Sequence, residues 1–224
     1  MIRKITIITL CLASLVPATV NAQAGNLNSS LRGDYSFSGE QTCIGSGTGF
    51  SGFDAQPPAY STSASVESIH RFNGDGTGTA VGGRQVSINN NGGNTTVLGP
   101  ASVSTFSLEF TYTVALDHSI HIANGPTATT QIVGPRAGTQ EATIISTGTS
   151  YDGYVAEDFR TITVMTAAPN PLNPQLALEF LRYTSSAPGQ IDFTQTCHRS
   201  RFGVRISGGS GQNSPQSTWP FSGH

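Results

Sequence analysis

The chain has 224 residues and a formal net charge of −2, and only 11% of its residues are charged. Its one lysine is Lys4, so everything behind that position lacks the residue needed for Schiff-base chemistry, P-loop phosphate binding or Ser-x-x-Lys hydrolysis. With 11 basic residues against 13 acidic ones, no basic surface exists to hold a polyanion, and nucleic acid is not an expected partner.

At the N-terminus, Arg3 and Lys4 precede an apolar run from Ile5 to Val16, then Pro17 and the small-residue motif Ala22-Gln23-Ala24. The run is about 12 residues, short of the roughly 20 that a spanning helix requires. Residues 1–24 therefore read as a secretory leader, cut after Ala24 or after Ala22. Cys11 follows Leu10, where a lipid-attachment site calls for Gly or Ala. No later segment is long and apolar enough to span as a helix. One Trp and six Tyr are poor material for the two aromatic girdles of an outer-membrane barrel. The expected location is secreted or periplasmic. A single domain is expected over 25–206, and the Gly-, Ser- and Pro-containing segment 207–224 reads as a flexible tail.

Behind the leader, apolar residues recur at period two and not at helical spacing. Strands are predicted over Leu31 to Ser38, Ser65 to Phe72, Gly78 to Ile88, Val103 to Leu116, Gln140 to Thr147, Arg160 to Thr166, Gln175 to Thr184, Gln190 to His198 and Phe202 to Ile206. The clearest is Val103 to Leu116, with Phe106, Leu108, Phe110, Tyr112 and Val114 on one face and Ser107, Glu109, Thr111 and Thr113 on the other. Asn73-Gly74-Asp75-Gly76, Asp117-His118 and Tyr151-Asp152-Gly153 read as turns. Longer loops are expected over Ile44 to Tyr60, Asn89 to Pro100 and Ala167 to Pro174. The chain is thus all-β, an antiparallel meander closed into a β-barrel of about eight strands, with a β-sandwich as the alternative.

Two cysteines remain beyond the leader, Cys43 and Cys197. Cys43 shares parity with Tyr35 and Phe37, and Cys197 with Ile191 and Phe193. A disulfide needs Cα atoms about 4.4–6.8 Å apart, so the bond predicts that the first and last strands are neighbours, as in a closed meander. A sandwich could also bring its ends together.

Candidate sites are few. Asn73 to Gly78 begins like a calcium loop, but its twelfth position is Arg84 instead of a bidentate Glu, so a hairpin turn fits better. His118 and His121 stand three apart, on opposite faces of a strand, which does not suit one metal. An oxidised Cys197 beside His198 cannot act as a nucleophile, and no Gly-x-Ser-x-Gly elbow is present. Glu67 and Glu109 fall on polar faces, with Arg71 on the side of Glu67. No cofactor is called for.

The remaining candidates lie on the apolar parity: His70, Tyr112, Arg182 and Gln195, with Phe72, Phe110 and Phe180 beside them. A few polar groups within an apolar interior suit a small-molecule pocket. The competing reading is a filled core in which these groups bond one another.

Gly33-Asp34-Tyr35-Ser36-Phe37, the Phe72-Asn73-Gly74-Asp75-Gly76-Thr77-Gly78 hairpin and Asp152-Gly153 resemble secreted bacterial barrels of the calycin-like and allene-oxide-cyclase-like type. The resemblance implies the barrel and carries no catalytic residue with it. Three functions stay open: binding of a small apolar ligand, a cyclase or isomerase acting in the same cavity, and a structural or adhesive surface component.

Overall fold

A computed structural model of the chain describes residues 25–48, 50–51, 54–55, 59–90, 101–135, 137–139, 143–146, 148–167, 179–185 and 193–208. For 50, 54, 144, 179–185, 193, 194 and 208 it describes the backbone alone. The predicted leader, residues 209–224 of the predicted tail and most of the two later loops lie outside the described residues, while Ser207 and Gly208, assigned to that tail, belong to the last strand.

The described chain is all-β. Its strands are β1 (Arg32–Ser46), β2 (Phe50–Ser51), β3 (Asp54–Ala55), β4 (Ala59–Asn73), β5 (Thr77–Asn90), β6 (Ala101–Val114), β7 (Ser119–Asn124), β8 (Thr127–Val133), β9 (Thr143–Ser146), β10 (Ser150–Val155), β11 (Thr161–Thr166), β12 (Glu179–Ser185) and β13 (Phe193–Gly208). Apart from the small β2–β3 hairpin, every strand belongs to one antiparallel sheet, and β13 pairs back onto β1. The hydrogen bonds therefore run in a ring.

Five long strands, β1, β4, β5, β6 and β13, run through both halves of this ring. The rest of the wall is divided. β6 pairs β7 through Phe110 to Val114 and β8 through Val103 to Ser107. β13 pairs β12 through Phe193 to Cys197 and β11 through Val204 to Met165's partner Ser200. One half thus closes through β7, β10 and β11, the other through β8, β9 and β12, each completing a circuit of eight strands.

The long strands exceed the predicted bounds. β1 continues through Cys43 to Ser46, taking up the start of the predicted loop from Ile44. Gln190 to His198 and Phe202 to Ile206 belong to one strand, β13. β7 and β8 were not predicted. In β8 the inward positions are Thr127, Thr129 and Gln131, with Thr127 and Gln131 buried, so the apolar alternation that betrays a strand is missing there. Tyr151-Asp152-Gly153 is corrected from a turn to the middle of β10, paired with β7 and β11. Gly153 permits this, because a Cβ on it would stand 1.9 Å from the Thr163 carbonyl oxygen. The actual turn comes later, where Phe159 takes φ 54°.

One half of the interior is an apolar core of Tyr35, Phe37, Phe72, Phe110, Tyr112, Val114, Ile120, Ile122, Ile162 and Val164 among others. Its rings meet edge to face, Tyr35 to Phe72 at 5.2 Å and Phe72 to Tyr112 at 4.9 Å between centroids, an arrangement that adds to the burial itself. A 3-10 turn, Asn28–Ser30, closes this end. Leu27 N–H donates to Val114 O at 2.8 Å, and the Tyr112 hydroxyl donates to Leu31 O at 2.8 Å. Tyr35 Oη donates to the Phe159 carbonyl.

The other half of the interior is polar. Thr62, Ser87, Asn89, Ser102, Ser104, Gln131, Ser146, Gln195 and Arg199 are all buried there. Such groups are tolerated when they bond one another. Thr62 Oγ1 donates to Asn89 Oδ1 at 2.8 Å, and Gln195 Nε2 to Tyr60 Oη at 3.1 Å. The Cys43–Cys197 disulfide, S–S 2.11 Å, lies in this half and joins β1 to β13.

Candidate functional site

A cavity of about 90 Å³ lies where the apolar and polar halves meet. It sits beside the breaks in the wall between β7 and β8 and between β9 and β10, so Asn124, Thr127, Ser146 and Thr149 form part of its lining. Phe37, Leu108 and Ile122 give it an apolar side, and Gln41, Arg199 and Arg201 a polar one.

The polar side is built by strand alternation. On β13, Cys197 faces inward, so Arg199 and Arg201 follow it at two-residue intervals; Arg199 is 4% exposed. On β1, Gln41 is two residues before Cys43 and is buried beside them. Arg199 Nε donates to Gln41 Oε1 at 3.1 Å, and Arg201 Nη2 donates to the same oxygen at 3.3 Å. Arg201 Nη1 also donates to the Glu40 and Ser200 carbonyls, at 2.7 and 2.8 Å. Two cations therefore converge on one neutral acceptor.

His70 reaches the cavity from β4. Its ring lies 4.3 Å from that of Phe37 and 5.2 Å from that of Phe110, and Nδ1 is 3.2 Å from Ser68 Oγ. Burial pushes the imidazole down to about 3, and the Arg201 charge acts in the same direction. His70 is consequently neutral at physiological pH and a weak base.

Asn124 anchors the wall at the break. Its N–H donates to Thr149 O at 2.7 Å and its Nδ2 to Thr149 Oγ1 at 2.8 Å. Its Oδ1 is buried and has no hydrogen-bond partner among the described residues.

The predicted site residues are distributed as follows. His70 lines the cavity. Phe72, Phe110 and Tyr112 lie in the apolar core next to it, Phe72 and Phe110 with centroids 5.0 Å apart. The Tyr112 hydroxyl is held by the Leu31 carbonyl and by Gly74 N–H, at 2.8 and 2.9 Å, so it fastens the 3-10 turn to the β4–β5 hairpin. Burial raises its pKa. Gln195 is in the polar half, bonded to Tyr60. Phe180 and Arg182 pair with Thr196 and Thr194 in the backbone register, and their side chains lie outside the described residues.

Of the cavity residues only His70 was a candidate in the sequence reading; Gln41, Arg199 and Arg201 escaped it, as did Asn124, Thr127, Ser146 and Thr149 at the break in the wall. For Arg199 and Arg201 the signal was the parity of Cys197, which runs on through them once β13 is read as continuous, and for Gln41 it was the parity of Cys43 on β1.

Outside the cavity, Asp75 closes its own turn by accepting from Thr77 N–H and Oγ1 at 2.8 and 2.7 Å, as a hairpin requires. His121 and Asp152 pair across β7 and β10 on the outer face, Nδ1 to Oδ1 2.6 Å. Among the described residues no group of three or more His, Cys, Asp or Glu could hold a metal ion, and no helix is long and apolar enough to cross a membrane.

The chain matches no protein-family model, no curated protein and no solved structure.

Proposed function

We propose that this is a small-molecule binding protein acting outside the cytoplasm, and that its ligand occupies the cavity at the junction of the two interior halves. The observation that carries this reading is the lining itself: a partly open space lined both by apolar side chains, Phe37, Leu108 and Ile122, and by hydrogen-bonding groups, Gln41, His70 and Asn124 among them, which is the usual make-up of a ligand site. The disulfide supports an oxidising compartment. The barrel resemblance of Gly33 to Phe37 and of the Phe72 to Gly78 hairpin agrees with a carrier.

Binding is favoured over a cyclase or isomerase role because the described lining holds no acid–base pair. Among the described residues no Asp or Glu lines the cavity, and His70, lowered to about 3, is too weak a base to share protons at neutral pH.

The test is native mass spectrometry of protein purified from its own host, followed by unfolding and identification of what is released. A small molecule bound at one per chain is the expected result. Bare protein, combined with no response of cavity resonances to a panel of small solutes, would sink the reading.

A further inference from the structure

We propose that residues 209–221, which follow β13, lie back along the outer face of the ring and seat Trp219 and Phe221 on an apolar groove formed by β10, β11 and β13.

That face is unusually apolar for an exterior. β13 presents Phe202, Val204 and Ile206 outward, 46%, 40% and 55% exposed, at the two-residue interval that keeps side chains on one side of a strand. In the register Phe202 stands opposite Thr163 of β11, and Thr163 opposite Tyr154 of β10. Met165, the next outward residue of β11, stands opposite Ser200. Tyr154 and Met165 are 65% and 56% exposed, and with Phe202 they belong to the lining of one groove, whose polar members include Ser38 and Thr163. Large apolar side chains exposed singly are ordinary, whereas a contiguous patch of them marks a contact surface.

The segment that leaves β13 carries the complement. Between 209 and 221 it has no charged residue, and apart from Trp219 and Phe221 it consists of Gly, Ser, Thr, Asn, Gln and Pro. An indole and a phenyl ring bring a large apolar area at little cost in side-chain freedom. Pro220 between them has its φ fixed already, which lowers the cost of ordering the pair.

Reach and direction agree. β13 ends at Gly208, and the outward stripe begins close by at Ile206. Phe202 lies six residues back from Gly208, about 20 Å at the rise of a strand. Trp219 lies eleven residues beyond Gly208, an extended span of up to about 36 Å. The surplus serves the reversal, where Gly209 and Gly211 admit positive φ.

The tether also selects the occupant. A short flexible linker holds its two ends at an effective concentration of about millimolar, well above that of a second copy in a dilute solution. The chain's own segment therefore fills the groove first. Another group of exposed aliphatic residues, Val86, Ile88, Ile132 and Val133, stands on β5 and β8, which do not adjoin β10, β11 or β13.

The sequence supplies its own probes, because Trp219 is the single tryptophan and Met165 the single methionine beyond Met1. The experiment follows the isotope-labelled Met165 methyl by NMR and acrylamide quenching of Trp219 fluorescence in the disulfide-bonded protein. In the wild type, the methyl should show cross-peaks to the indole ring, and quenching should be severalfold weaker than for free N-acetyltryptophanamide. Phe202→Ser, an exposed change, should raise quenching severalfold, while Ile88→Ser leaves it unchanged. Trp219→Ser should remove the ring-current shift of the methyl. A fully quenchable Trp219 overturns the proposal, and so does a shielded one without contact to Met165. Shielding lost in Ile88→Ser and kept in Phe202→Ser overturns this groove. A contact that appears only as protein concentration rises, together with dimers in sedimentation, overturns the chain's own segment in favour of a second copy.

Discussion

Cys43 and Cys197 face each other directly across the β1–β13 pair, bonded to one another and separated by 154 residues of chain. The same two strands are already joined by backbone hydrogen bonds from Gly33 to Ser46. The disulfide therefore fastens a seam that the sheet closes in any case, and its main effect falls on the unfolded chain. A loop of this length contributes roughly 5 kcal/mol in the chain-entropy account. Cys43→Ser should cost about 2–5 kcal/mol while the strand content by circular dichroism stays the same. Non-reducing peptide mapping of protein taken from an oxidising compartment should recover the linked pair; two free thiols would remove the expected stabilisation.

Phe110 and Thr111 are neighbours on β6 with opposite fates. Phe110 is 3% exposed within the aromatic core, and Thr111 is on the outer face. Phe110→Asp buries a carboxylate against Phe72 and His70, with a cost of several kcal/mol, whereas Thr111→Asp should stay within about 0.5 kcal/mol. Thermal melts of the two variants check this, and equal losses would contradict the observed facing.

His70 makes stability depend on pH in the acid range. Its pKa falls from 6.5 when unfolded to about 3 in the fold. Between those values the unfolded chain binds a proton that the folded chain does not, so stability is lost as pH drops below 6.5. The slope approaches about 1.4 kcal/mol per pH unit, or about 2 kcal/mol between pH 7 and pH 5. Among the described residues, the groups that face the ring are Ser68, Phe37, Phe72, Phe110 and Arg201, and none of these is an anion that would rescue the imidazolium. Urea unfolding at the two pH values should show this loss in the wild type and much less of it in His70→Gln. Equal acid sensitivity in both proteins would mean that His70 is solvated.

The fold was legible where the inward side chains are apolar. Phe106 to Val114 on β6 and Tyr35 and Phe37 on β1 alternate with polar residues, and the cysteine parity located the seam between the first and last strands. The polar half was not legible for the complementary reason. Thr127 and Gln131 of β8 face inward, Ile132 outward, so hydrophobicity there carries no information about burial. Gly153 misled in a different way. Glycine after Asp usually marks a turn, but here it lets two strands approach. At the candidate site, His70 was found by parity, while Arg199 and Arg201 were lost in a gap between two predicted strands that are one.

Gly153 and Gly39 offer the sharpest test of how tightly the wall is drawn together. A Cβ on Gly153 would meet the Thr163 carbonyl oxygen at 1.9 Å, and one on Gly39 would meet the Ser200 carbonyl oxygen at 2.0 Å. In both cases the obstacle is backbone of the neighbouring strand, which cannot turn aside as a side chain can. Separating the strands would weaken their ladder, so Gly153→Ala and Gly39→Ala should each destabilise by about 1–3 kcal/mol or more. Gly148, whose Cβ would stand 2.3 Å from Asn124 O, should behave alike and would also disturb the cavity wall. Gly138 is the control for crowding: among the described residues nothing lies within 4 Å of its Cβ, although φ of 76° there carries its own strain. Denaturant midpoints for the four alanine variants decide the matter. A loss at Gly153 and Gly39 no greater than at Gly138 would mean that the strands are not packed as closely as the ring requires.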